Sequence, residues 1–203
     1  MKKLKYIAPI LIAVACLGLQ HAKADTVTYS LTTANTGTLG SGPYGTVLVN
    51  LTSPTTATIT FTAAAGYLFV DGGAVAVNVN ATSWTVSAFT SNGNPVSDSG
   101  SGQNDGFGIF NQTGSQQNAN MGASVISFTL TNTSGTWASA SQVLAFNANN
   151  WLVSAHVFLV GSNGITGYVA GPSGGTVPDG GTTVMLLGAA LGALGMARRF
   201  LMS

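Results

Sequence analysis

The chain has 203 residues, and only 5% of them are charged, against about 25% in an ordinary soluble protein. Its cations are Lys2, Lys3, Lys5 and Lys23 at the front and Arg198 and Arg199 at the back, and its acidic residues are Asp25, Asp71, Asp98, Asp105 and Asp179. A body without a cation excludes a nucleic-acid partner, because nothing in it can neutralise phosphate. Its apolar residues are interleaved with Thr, Ser, Asn and Gly, which excludes a bundle of membrane helices.

At the front, Lys2, Lys3 and Lys5 precede an apolar stretch over residues 6–19, and Ala22-Lys23-Ala24 supplies a small-residue cleavage site. This order predicts a cleavable signal peptide over residues 1–24, cut between Ala24 and Asp25. Pro9 and the shortness of the run argue against an uncleaved membrane helix. Cys16 lacks the Leu three residues earlier that a lipoprotein signal carries. The only cysteine of the chain therefore leaves with the leader, and the mature protein suits an oxidising compartment without needing a disulfide.

Residues 25–160 are expected to form one all-β domain. Val27, Tyr29 and Leu31 alternate with Thr and Ser, the pattern of a half-buried strand. The alternation returns at Val47, Val49 and Leu51, and again at Ala57, Ile59, Phe61 and Ala63, with Ser41-Gly42-Pro43 and Ser53-Pro54 as turns. Further strands are predicted at 67–70, 74–80, 83–90, 106–112, 125–131, 143–146 and 151–160, with a long polar loop over 91–105. No stretch of the body has a helical period, and Thr and Val favour strands on steric grounds. Many short strands with one apolar face each must pack sheet on sheet, so a β-sandwich is expected, with jelly-roll connections as one option. Sheets of this kind usually guard their edges with Lys. This one has none, and covalent sugar on Ser and Thr is one way to compensate.

Candidate chemistry in the body is sparse. His156 is the only histidine behind the leader, which rules out a multi-histidine metal site, and it shares a strand face with Leu152, Ser154 and Phe158. Ser and His two apart on one strand do not form a nucleophile elbow, so no catalytic residue, metal site or cofactor is expected and the chain is not read as an enzyme. Asp98, Asn104 and Asp105 could gather oxygen ligands for Ca²⁺ if they lie in a loop, although turns select the same residues. Trp84, Trp137 and Trp151, with Tyr44, Tyr67 and Tyr168, could stack on sugar rings or pack the core. Asn50, Asn80, Asn111 and Asn132 each open an Asn-x-Ser/Thr triplet.

After a Gly/Ser/Pro-rich connector, predicted over residues 161–176, comes Val177-Pro178-Asp179-Gly180-Gly181. An apolar run at 182–197 and then Arg198-Arg199 follow. As a helix the run reaches about 24 Å, short of the ~30 Å hydrocarbon core unless Arg198 and Arg199 snorkel. Those arginines should remain cytoplasmic and leave the β-domain outside. Gly188 and Gly192 add a GxxxG spacing.

The tail over 177–203 resembles a PEP-CTERM-type sorting signal in its Val-Pro-Asp-Ser/Gly-Gly variant, with Asp179 and Gly180 where the commoner motif has Glu and Pro. The resemblance implies a substrate of an exosortase, a membrane-embedded transpeptidase-like enzyme that processes proteins bound for the cell surface or the exopolysaccharide matrix. Leu144, Asn147, Ala155-His156-Val157 and Gly167-Tyr168 are similar to the closing strands of small β-rich proteins with this tail. The expected role is structural or interactive, with polysaccharide as a partner to consider; the alternative is a glycan- or calcium-binding module held by its C-terminal helix.

Overall fold

In the computed structural model the structure describes residues 25–116 and 122–173. The expected leader, with Ala22 and Ala24, and the expected tail, with its motif, its helix and both arginines, lie outside the described residues. Among those described, no helix is long and apolar enough to cross a membrane.

The alternating sequences form the first sheet. It contains β1 (Asp25–Leu31), β3 (Gly45–Ser53), β4 (Thr56–Ala63), β7 (Trp84–Val86), β8 (Thr90–Ser91) and β11 (Val125–Asn132), in the order β1-β3-β4-β11-β7, with β8 also on β11. Its pairing is antiparallel throughout. Register aligns like with like: Tyr29, Val47, Phe61 and Ile126 form one cross-strand row, and all four are buried. The adjacent row, Thr28, Leu48, Thr60 and Ser127, faces outward. A slip of one residue would exchange the two rows, so burial of the apolar row specifies the register.

The second sheet contains β2 (Thr33–Ala34), β5 (Tyr67–Phe69), β6 (Val75–Val77), β9 (Val96–Asn104), β10 (Gly108–Gln116), β12 (Trp151–Leu159) and β13 (Thr166–Ser173). Their order is β2-β13-β12-β6-β10-β9, with β5 also on β12. Val153, Ala155 and Val157 of β12 join the shared core. Phe61 of the first sheet meets Phe69 of the second edge-on at 5.9 Å. Each such fully buried side chain contributes about 1.5–3 kcal/mol, and the result is the expected sandwich-like pair of sheets.

Several boundaries differ from expectation. The predicted polar loop at 91–105 contains β9, which pairs with β10 over most of its length. Its sequence, VSDSGSGQN, has no apolar period because it is an edge strand, held by backbone bonds and not by a buried stripe. The strand expected at 106–112 starts later and runs further, since residues 105–107 make the turn of that hairpin. The stretch 83–90 divides into β7 and β8, and 74–80 shortens to β6. Residues 143–146 provide only a bridge, Val79 to Leu144, after a 3-10 turn at Ala140–Gln142.

The connector expected at 161–176 is corrected as far as Ser173: β13 pairs with β12 and, at its other edge, with β2. Gly171, expected in a flexible connector, and Gly167 are glycines because neighbours press on the strand. A Cβ on Gly171 would lie 2.0 Å from the Ser30 carbonyl oxygen. That approach marks a seam where β1 passes into β2 and the two sheets meet along β13. There Thr32 N–H donates to Ala170 O at 3.1 Å and Asn35 N–H to Tyr168 O at 2.9 Å. β1 and β13 run antiparallel along this seam, so the start of β1 at Asp25 and the end of β13 at Ser173 lie at the same pole. The Asp25 carboxylate is tied there, accepting from Ala140 N–H at 2.7 Å.

Candidate functional site

The most concentrated polar chemistry of the described residues lies on the outer face of the second sheet. Ser154 stands across from Ala76 on one side and Ala170 on the other. Three small side chains in a row leave a trough. The β9-β10 hairpin folds over it, and Phe107 and Phe110 pack on Ala76 and Ala170, with Trp151 and Tyr168 at the rim.

Three amides and a carboxylate pin this hairpin. Asn104 Nδ2 donates to Gly73 O at 3.2 Å and to Ser154 Oγ at 3.0 Å. Asn147 Nδ2 donates to the carbonyls of Phe107 and Ile109 at 3.0 and 3.1 Å, while its Oδ1 accepts from Asn149 and Trp151 N–H. At the far side, Asn35 Nδ2 donates to Asp105 Oδ2 at 3.1 Å. The Asn104 side-chain Oδ1, buried, has no partner and lies against Gly73. Gly73 adopts a φ of 65°, so this tight corner excludes a side chain on two grounds.

The trio weighed for Ca²⁺ therefore does not assemble. Asn104 is committed to holding the hairpin, and Asp105 is taken by Asn35. Asp98 is engaged elsewhere on β9, accepting from Gln112 Nε2 at 2.7 Å and Gly100 N–H at 2.9 Å. Among the described residues no three His, Cys, Asp or Glu side chains group to hold a metal ion.

His156 stacks on Tyr168, with ring centroids 4.3 Å apart and planes 16° apart. Its Nδ1 is buried without a partner. Burial lowers its pKa, and the Asp71 carboxylate and a bond with the Gly72 backbone offset part of that. Tyr168 is raised, first by burial and then by Asp105 and Asp71, and its hydroxyl donates to Gly72 O at 3.2 Å. Ser154 is fully buried, so its hydroxyl meets Asn104 and not solvent. The arrangement has the features of a structural clasp: a stacked pair of rings, amide groups that donate to backbone carbonyls and a buried hydroxyl.

The aromatic residues are likewise used internally. Trp137 is buried and its indole N–H donates to Asn80 O at 2.7 Å, while that of Trp84 reaches Gln112 Oε1 at 3.2 Å. Tyr44 and Tyr67 meet edge-on at 5.4 Å, and their hydroxyls donate to Gly40 O and Leu39 O. Among the Asn-x-Ser/Thr residues, Asn80 and Asn111 spend their Nδ2 on backbone carbonyls, and Asn132 is buried. One open polar depression of about 380 Å³ lies between residues 79–82 and 132–136, lined by Asn80, Thr82, Asn132, Ser134 and Thr136 among others.

Sequence reasoning found Ser154, His156 and Asn104 individually but missed the hairpin that joins them. Asn35, Asp71 and Asn147, which complete the clasp, carry no local motif. Residues 176–200 match the VPDSG-CTERM motif. No curated protein and no solved structure matches the chain.

Proposed function

We propose that this chain, which carries a VPDSG-CTERM sorting motif at residues 176–200, is exported through a leader cut before Asp25 and held by an apolar helix at 182–197. An exosortase then processes it near Asp179 for delivery to the cell surface or the exopolysaccharide matrix. The motif match carries the reading. The motif implies an exported, exosortase-processed protein; the matrix destination, the membrane helix with Arg198 and Arg199 as its stop, and a structural or interactive role without catalysis are our extension of it.

One feature of the fold supports the extension: Asp25 of β1 and Ser173 of β13 lie at one pole of the sandwich, as a precursor fastened to one membrane at leader and tail requires. A neutral glycan at the polar depression by Asn80 and Asn132 is the second reading, favoured there by hydroxyl and amide groups without charge. A glycan array probed with the full chain tests it.

The test of the main reading is mass spectrometry of the protein recovered from its own cells. The expected species begins at Asp25 and ends close to Asp179. A chain still continuous to Ser203 in mature cells would overturn processing and leave a permanent anchor.

A further inference from the structure

We infer that the pole from which both ends of the chain depart faces the membrane, with Ile109 as its contact with the lipid interface; this rests on the proposal that the tail anchors the precursor. The last described residue is Ser173, and nine residues, 174–182, reach the start of the apolar run. They span at most about 32 Å, so the pole at Ser173 is the part of the domain tethered closest to the tail.

The exit point is physically linked to Ile109. Ser173 pairs with Trp151 across the sheet. Trp151 N–H donates to Asn147 Oδ1 at 3.0 Å, and Asn147 Nδ2 donates to the Ile109 carbonyl at 3.1 Å. The Phe107 ring meets Trp151 edge-on at 5.0 Å. Ile109 is 63% exposed, the most of the exposed large apolar side chains among the described residues, and its backbone is fixed on both sides of the hairpin by β9 and by Asn147. A rigidly presented Ile beside a half-buried Trp suits the boundary between headgroups and acyl chains.

Charge does not supply the contact. The described residues include no Lys or Arg, and the nearby Asp25 and Asp105 carboxylates accept bonds from Ala140 N–H and Asn35. The contact that the described residues offer at this pole is therefore apolar.

The test uses the full chain with Cys16→Ser and either Ile109→Cys or Val160→Cys, labelled with nitrobenzoxadiazole on its one thiol. Val160, 51% exposed, follows the opposite end of β12 and serves as reference. The chain is reconstituted through its tail into vesicles of phosphatidylethanolamine and phosphatidylglycerol, with and without brominated acyl chains. Quenching at position 109 should exceed that at 160 by about twofold or more, as an interfacial depth of ~5–10 Å requires, and should persist in phosphatidylcholine. Equal quenching at the two positions in a chain that floats with the vesicles overturns the Ile109 contact and leaves the anchor standing. A chain that does not float overturns the anchor and this inference with it.

Discussion

His156 is held neutral by its surroundings, and this gives the fold a pH dependence whose sign can be worked out. Burial lowers its pKa below the ordinary 6.5, so between the folded value and 6.5 the unfolded chain binds the proton more readily. The stabilisation is complete above the unfolded pKa and is lost as pH falls through the folded one. The Asp71 carboxylate, which favours the charged ring, narrows the window without reversing it. The melting temperature should therefore fall as pH is lowered through about 6.5, and His156→Gln should flatten that fall while leaving the carboxylate-driven losses at more acidic pH in place. An unchanged slope in the variant would show that the stacked imidazole does not set the dependence. At this scale the sequence exposed the lone histidine. Its partner Tyr168 belongs to another strand, and only register brings the rings together.

The seam along β13 shows why individual strands were read with uneven success. β1, β3, β4 and β11 alternate cleanly because one face of each is core and the other is solvent, and all four were legible. β9 contributes only Val96 to the core, and β13 is Gly-rich because β1 and the Asn35–Leu39 turn crowd it; their sequences look like loop and linker. The missing Lys is explained at the same level. β2, β7 and β8 are too short to template another strand, β9 is broken by register shifts and a Gly100 φ of 60°, and β1 is tucked against β13. Sugar is not required to guard the edges. Gly171→Ala would place a methyl carbon 2.0 Å from the Ser30 carbonyl oxygen, and backbone cannot move aside as a side chain can. We expect a loss of about 2–3 kcal/mol, read as a lowered denaturation midpoint, whereas Gly37→Ala, with nothing within 4 Å, should change it little. Equal effects of the two would remove the seam as a packing constraint.

For the whole molecule, the consequence is that the folded unit extends to Ser173 and not to residue 160. A chain of residues 25–173 should melt cooperatively, while one ending at residue 160 exposes the β12 edge and β2 together and should lose its sharp transition in circular dichroism. Retention of a cooperative melt by the shorter chain would restore the linker reading. The sequence by itself determined the all-β class, through period-two alternation, and the VPDSG-CTERM motif of the tail, through contiguous residues. Both are local signals. Only the tertiary structure decided that Asn104, His156 and Asn147 form a clasp, that Asp98 and Asp105 are engaged by separate partners, and that Asp25 and Ser173 lie at the same pole. Those facts depend on cross-strand register and on one hairpin folding over a trough of small side chains, relations between residues that can lie 133 positions apart and that no local pattern encodes.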